Sequence, residues 1–376
     1  MVAFCYFHSP SLLHASAVVV GASLWLSNSS LRFGPSRRHR QQVDASAASG
    51  VWHRRVAASS AAAISTVVRA RGRYNRSAVS MASLGRVAGA QGNRLPFLYG
   101  TAWKKEATTD LVVQAVREGF RGIDTACQPK HYREDLVGAA IARLAREGIP
   151  REELWLQTKF TPMRGQDPAN VPYDPKAPLR IQVEQSIAQS VRNLGTDHID
   201  SLVLHSPLPT LQETLEVWSV FERAVDNGTV GQLGISNCYD FETFKGLFEQ
   251  SRVKPKVLQN RFYKDSGYDS QLRAFCLENG VTYQTFWTLS ANPNVLKASP
   301  VVSAAHRLQV TAAPVLFRWL IQSGHQPLTG TKSREHMRQD LQAADLQLTS
   351  AEMSAIGELF CENEGSSGGP SGCSVQ

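Results

Sequence analysis

The chain has 376 residues, 42% of them hydrophobic, and a formal charge of +8, enough for one large domain or two ordinary ones with a full apolar core. The charge is unevenly placed: residues 1–93 hold eleven Arg, no Lys and the single acid Asp44, whereas the other 29 basic and 31 acidic residues sum to −2. Basic charge confined to one end argues against a nucleic-acid-binding face, which needs Lys and Arg clustered on the folded domain itself.

Residues 1–93 are rich in Ala, Ser, Val and Arg and contain the tract Ala57–Ala63, the composition of an organellar transit peptide, which predicts import into a plastid or mitochondrion. The apolar run Leu12–Leu26 gives the alternative of a secretory core and is too short and broken to predict a membrane span. If translation instead starts at Met81, the mature protein is cytoplasmic. Cys5, Cys127, Cys238, Cys276, Cys361 and Cys373 form no C-x-x-C pair, so neither a zinc site nor a disulfide framework is expected, and free thiols fit a reducing compartment.

From Phe97 onward, short β-branched or apolar runs alternate with amphipathic stretches about every 30 residues, the rhythm of βα units. The expected strands are Phe97–Ala102, Arg121–Thr125, Leu154–Lys159, Ile199–His205, Gly231–Ser236, Val257–Arg261, Thr282–Phe286 and Gln326–Gly330. Helices are expected over Thr108–Glu118, Arg133–Arg146, Ile181–Leu194, Leu211–Asn227, Phe241–Gln250, Ser270–Glu278 and Ala312–Gln322, several closed by a glycine such as Gly119, Gly148, Gly195, Gly228, Gly280 or Gly324. Eight such units in about 260 residues predict a (β/α)8 TIM-type barrel. The rival doubly wound sheet is disfavoured because the turn Gly100-Thr101-Ala102-Trp103-Lys104 lacks the G-x-G-x-x-G fingerprint. Two further helical patterns, Ser333–Ala344 and Ser350–Phe360, follow, and residues 361–376 read as a Gly/Ser-rich tail.

In such a barrel the strand C-termini carry the chemistry. Asp124 closes the second expected strand, Lys159 the third and His205 the fourth, with Tyr132 in the loop after the second. Buried Lys and Asp are rare unless paired, so an ion pair between adjacent strands is expected. An ammonium beside a phenol lowers its pKa, which would let Tyr132 protonate a carbonyl oxygen as hydride arrives at the carbon, with His205 orienting that oxygen and Asp124 holding Lys159. The scheme uses no metal.

Gly122-Ile123-Asp124-Thr125-Ala126, Tyr132 followed by Val137-Gly138-Ala139-Ala140-Ile141, Thr158-Lys159, Asp200-Ser201-Leu202-Val203-Leu204-His205, Gly234-Ile235-Ser236-Asn237 and Gln259 resemble the signatures of the aldo-keto reductase family, over Leu95 to Phe360. The resemblance implies a (β/α)8 barrel, NADPH as cofactor and reduction of small aldehydes or ketones, with Asp124, Tyr132, Lys159 and His205 as the catalytic four. It assigns Ser236, Asn237 and Gln259 to the carboxamide of the nicotinamide and Phe286 to its ring face, with Gly100, Thr101 and Leu289 also along the cofactor. Eight positions separate Asp124 from Tyr132, three more than is usual in the family, so the loop should bulge outward, and His131 is a second candidate for part of the tyrosine's role.

The segment leaving the eighth strand opens a helix whose N-terminal amides favour an anion. Lys332, Ser333, Arg334, His336 and Arg338 are the candidates for a 2′-phosphate, which points to NADP rather than NAD, and His336, Gln339 and Asp340 stand at the places that resemble the family's adenine contacts. Trp103 and Trp287, with Tyr173 and Pro207, are candidates to line an open substrate pocket. Partners are expected to be limited to a small-molecule carbonyl substrate, with no nucleic acid, no membrane for the mature domain and a monomeric state. The alternative function is a non-catalytic NADPH-sensing subunit on the same fold. A metal-dependent barrel lyase or isomerase fits poorly, since only Asp124 and His205 among metal-ligating types stand at strand ends.

Overall fold

The structure is a computed structural model that describes residues 95–361; the leader expected over 1–93 and the tail beyond Cys361 lie outside the described residues. Eight short strands, β1 (Leu98–Gly100), β2 (Gly122–Asp124), β3 (Trp155–Phe160), β4 (Ile199–Leu204), β5 (Val230–Ser236), β6 (Val257–Arg261), β7 (Thr282–Phe286) and β8 (Gln326–Thr329), pair in parallel in sequence order and close β8 onto β1. Parallel neighbours need a crossover between them, and helices supply each one: α1 (Thr108–Glu118), α2 (Glu134–Arg146), α3 (Leu179–Leu194), α4 (Leu211–Asp226), α5 (Phe241–Gln250) and α6 (Ser270–Glu278) follow β1 to β6 in turn. The last crossover holds two helices, α7 (Ser299–Leu308) and α8 (Ala312–Gln322), and α9 (Arg334–Gln342) and α10 (Ser350–Gly357) follow β8. This is the expected (β/α)8 barrel.

The strands fall within a residue or two of expectation at most ends. β1 is shorter than expected, because the chain turns sharply at Trp103 and Lys105, both with positive φ. Helix α7 was not anticipated: it buries Val301, Ala304 and Ala305, but it sits three residues before α8 and so breaks the one-strand, one-helix rhythm. The expected closing glycines 119, 148, 195, 228, 280 and 324 all have positive φ, the conformation that ends a helix with least strain when no Cβ is present.

The apolar core lies between barrel and helices, as in the contacts of Phe97 with Phe317 (ring centroids 4.7 Å) and Phe160 with Phe221 (6.5 Å). At Gly138, α2 approaches α3 so closely that a Cβ would stand 2.0 Å from the Asn193 carbonyl oxygen. The inside of the barrel differs from the branched aliphatic filling usual for this architecture. Buried amides cross it: Gln157 Nε2 donates to Asp124 Oδ1 at 2.7 Å and to Gln284 Oε1 at 2.7 Å, and Gln284 Nε2 donates to Gln157 Oε1 (3.2 Å) and Gln326 Oε1 (2.8 Å). Ser201 donates to Gln157 Oε1 at 3.0 Å. Such a layer is tolerable in an interior only when its groups are bonded.

Candidate active site

The polar layer is the floor of the site. Lys159, fully buried on β3, donates to both carboxylate oxygens of Asp124 on β2 at 2.6 Å and to the Thr125 carbonyl at 2.9 Å. The expected inter-strand ion pair is present. Desolvation nevertheless wins over the Asp124 charge and lowers the Lys159 pKa.

The lengthened loop does not bulge outward. Cys127 continues beside β3, its N–H bonding the Lys159 carbonyl (3.1 Å), and the His131 and Tyr132 N–H groups both return to the Gln128 carbonyl, at 3.2 and 3.0 Å. The Gln128 side chain donates to the Gly165 carbonyl at 2.6 Å. The three extra residues are thus absorbed in one tight turn, which brings the Tyr132 ring to 5.5 Å from Lys159 Nζ and 5.9 Å from the His205 ring. His131 is engaged elsewhere, stacked on Trp103 at 3.9 Å with its carbonyl accepting the Trp103 N–H.

One expectation is overturned in this arrangement. The Tyr132 pKa is raised, first by burial and then by the Asp124 charge, not lowered by Lys159. Asp124 clasps the ammonium with both oxygens, so the phenol meets a nearly neutral pair, and burial disfavours phenolate. His205 follows β4 and is held by Thr161, whose Oγ1 lies 2.6 Å from Nδ1. Burial, then Lys159 and His131, push the imidazole well below its ordinary pKa, so it is neutral.

Asn237, at the end of β5 with φ 52°, donates to the His205 carbonyl at 2.8 Å and to Ser236 Oγ at 3.2 Å, while Ser236 donates to the Gln259 carbonyl at 2.7 Å. Gln259 aims its amide N–H groups downward, to Asp124 Oδ1 (3.0 Å) and Gln284 Oε1 (2.9 Å). Phe286 and Leu289 are half-buried at the same rim, Leu289 against the core. Gly100 ends β1 in register with Asp124. Thr101 is fully buried and its hydroxyl donates to the Asp124 carbonyl at 2.9 Å, which anchors the strand end. Trp103 and Trp287 are exposed by 56% and 54% at the mouth, whereas Tyr173 is buried and donates to the Thr161 carbonyl at 2.8 Å, a structural place.

In the segment after β8, several of the expected residues are engaged within the protein. Arg334 and Arg338 both bond Glu118 on α1, so one carboxylate is shared by two guanidinium groups and a net positive charge remains there. Asp340 is buried, accepts the Thr329 hydroxyl at 2.7 Å and has its pKa raised by desolvation to about 6. Gln339 donates to Glu335 at 3.2 Å. Lys332 and His336 remain exposed, and Ser333 caps α9 by accepting the His336 N–H at 3.3 Å.

Sequence reasoning overlooked three residues. Lys104 is buried, donates to the Gly330 carbonyl, and has its pKa lowered to about 8 by desolvation and by the charge of Lys332; among the described residues it pairs with no carboxylate. Its position beside Trp103 in the first strand-end turn was the available signal. Gln157 on β3 and Thr161 directly after it are legible only as polar residues in an otherwise buried stretch. Among the described residues no cluster of His, Cys, Asp and Glu suited to a metal is present, and no helix is long and apolar enough to cross a membrane.

The solved structures most like this one include an aldo-keto reductase from a Medee basin deep-sea metagenome library (TM-score 0.60, 22% identity, 71% of this chain and 92% of the other) and an aldo/keto reductase from Brucella melitensis (0.59, 22%, 70% and 94%). These likenesses concern the fold. In sequence, the chain is 28% identical over 289 residues to the NAD/NADP-dependent indole-3-acetaldehyde reductase of Schizosaccharomyces pombe, covering 72% of this chain and 93% of that protein. It is 27% identical over 272 residues to an aldo-keto reductase of Mycolicibacterium smegmatis, with 71% and 90% covered. The model of the aldo/keto reductase family matches residues 92–360. The chain therefore belongs to the aldo/keto reductase family, oxidoreductases that reduce carbonyl groups with a nicotinamide cofactor.

Proposed function

We propose that this protein reduces small aldehydes or ketones with NADPH, with Tyr132 as the proton donor. The observation that carries the reading is the convergence of Asp124, Lys159, Tyr132 and His205 at one end of the barrel, above a bonded polar floor. The bound nicotinamide would supply the hydride. Its fit is supported by an uncompensated buried ammonium, Lys104, beside the segment that opens α9, by the Ser333-capped helix start, and by Asn237 and Gln259 near the centre. Lys104 and Lys332 are in no ion pair among the described residues, whereas Arg334 and Arg338 share Glu118, so the two lysines are the leading cations to meet phosphate.

The raised Tyr132 pKa suits a donor. The phenol keeps its proton at neutral pH, and the alkoxide forming on the substrate is a stronger base than phenolate, so transfer runs downhill late in the reaction. Lys159, held by Asp124 and the Thr125 carbonyl, fixes the floor beside which the Tyr132 ring sits. The Thr161 contact occupies Nδ1 of His205 and leaves Nε2 to meet and orient the same oxygen.

The test is NADPH consumption by the purified protein over a panel of aldehydes, ketones and dicarbonyls, alongside Tyr132→Phe. We expect kcat to fall by at least 100-fold in the variant while NADPH affinity changes by less than a few-fold, on the order of what a lost general acid removes. Turnover that survives in Tyr132→Phe would remove the tyrosine from its role, and NADPH binding without turnover of any carbonyl would favour a sensing protein.

A further inference from the structure

A second polar feature stands at the barrel mouth, on the strand pair β6 and β7. Side chains alternate along β6: Gln259 reaches inward to Asp124, Asn260 points outward to Asp269 (2.7 Å), and Arg261 therefore returns to the inward side, one step nearer the mouth than Gln259. Its guanidinium carbon lies 4.1 Å from the ring centre of Trp287 and 5.0 Å from that of Tyr263. Cation–π contact on two rings fixes the plane of the guanidinium and leaves its edge, with the N–H groups, unoccupied. Arg261 Nε is buried with no hydrogen-bond partner, and among the described residues no carboxylate lies within ion-pair distance of the side chain.

Trp287 adds an independent sign. It has φ 58°, a left-handed conformation that costs a bulky residue roughly 1–3 kcal/mol and that collects at ligand sites. That backbone places the indole over Arg261 instead of packing it inside. The two residues, with Tyr263, Lys264, Asp265 and Ser290, line a cavity of about 430 Å³. Two cations face one carboxylate there, and Asp265 is ion-paired to neither. A buried donor without an acceptor costs about 1–3 kcal/mol, which a ligand oxygen would recover.

We propose that Arg261, clamped between Trp287 and Tyr263, is an oxyanion-binding residue that takes a phosphate or carboxylate group at the mouth of the site, assisted by Lys264. A planar guanidinium with a free edge matches such a group through two parallel hydrogen bonds. The group belongs either to the cofactor or to the carbonyl substrate. Both sources rest on the reductase reading, but an anion bound at Arg261 is measurable without NADPH and without turnover.

The test begins with calorimetric titration of the full chain with inorganic pyrophosphate at constant ionic strength, compared with Arg261→Met, which keeps an apolar side chain between the rings, and Arg261→Lys, which keeps the charge but not the fork. The proposal expects saturable binding in the native protein, a loss of tenfold or more in Arg261→Met and an intermediate loss in Arg261→Lys, with unchanged thermal midpoints. NADPH affinity by fluorescence, and KM for 4-carboxybenzaldehyde against benzaldehyde, then identify the source. Weaker NADPH binding with an unchanged preference between the aldehydes assigns the clamp to a cofactor phosphate; a tenfold rise in KM for the carboxylated aldehyde alone assigns it to the substrate. Pyrophosphate binding that is absent, or equal in all three proteins, overturns the proposal whether or not any carbonyl is reduced.

Discussion

Lys104 shows how much one buried charge can reveal. Its ammonium sits 5.5 Å over the Tyr99 ring, bonds the Gly330 carbonyl, and is lowered to about 8 by burial and by Lys332. Below about pH 8 it is charged and favours a phosphate; as pH rises through 8 the free protein loses that charge, while a bound phosphate would retain it longer. NADPH affinity is therefore predicted to be flat up to pH 7, to fall about twofold by pH 8 and to weaken above it, by at most about tenfold per pH unit for a single linked proton. Fluorescence titration checks this, and Lys104→Met should bind weakly with no such slope. A native curve flat to pH 9.5, or an unchanged slope in the variant, would remove Lys104 from the phosphate site. At this scale the sequence located Asp124, Lys159 and His205 because rare residue types end apolar runs, yet it misjudged the sign of the Tyr132 shift, since the screening of Lys159 by Asp124 depends on two distances of 2.6 Å.

Among the elements, α2 and α3 meet at their closest point through Gly138. A methyl there would lie 2.0 Å from a backbone oxygen, which has no rotamer to escape into, so the helices must separate. Separation would also strain the buried Glu134, which bonds Thr158 on β3 and Asn193 Nδ2 on α3 (2.9 Å). Gly138→Ala is predicted to lower unfolding free energy by about 3 kcal/mol, the upper end of ordinary overpacking, as measured by urea denaturation; a loss below about 0.5 kcal/mol would show that the helices adjust freely. Gly138 was read in the sequence as part of a family pattern, and the contact that demands it was not visible, because Asn193 lies 55 positions away in the chain. Helix limits were more legible, since caps and closing glycines act within a few residues. Helix α7 is not legible because the βα rhythm allots one helix to each crossover, and Ala312–Gln322 already fills that place.

For the barrel as a whole, the polar floor ties β2, β3, β4, β6, β7 and β8 together through Asp124, Gln157, Ser201, Gln259, Gln284 and Gln326. Gln157→Leu would remove a donor to Asp124 and the acceptor for Ser201. Unsatisfied buried groups cost about 1–3 kcal/mol each, partly offset by burial of the leucine, so a net destabilisation of about 2 kcal/mol is predicted in chemical denaturation. A variant as stable as the native protein would show that the layer is not a structural tie. By itself, the sequence determined the fold class, the order of strands and helices, and the identity of four candidate catalytic residues, because periodicity, turn residues and strand-end chemistry are properties of neighbours along the chain. Only the tertiary structure decided that the long loop closes in a tight turn, that Arg334, Arg338 and Asp340 are already engaged, and that Arg261 stands clamped and unpaired at the mouth. Those outcomes rest on distances and desolvation between residues remote in sequence, and no local pattern encodes them.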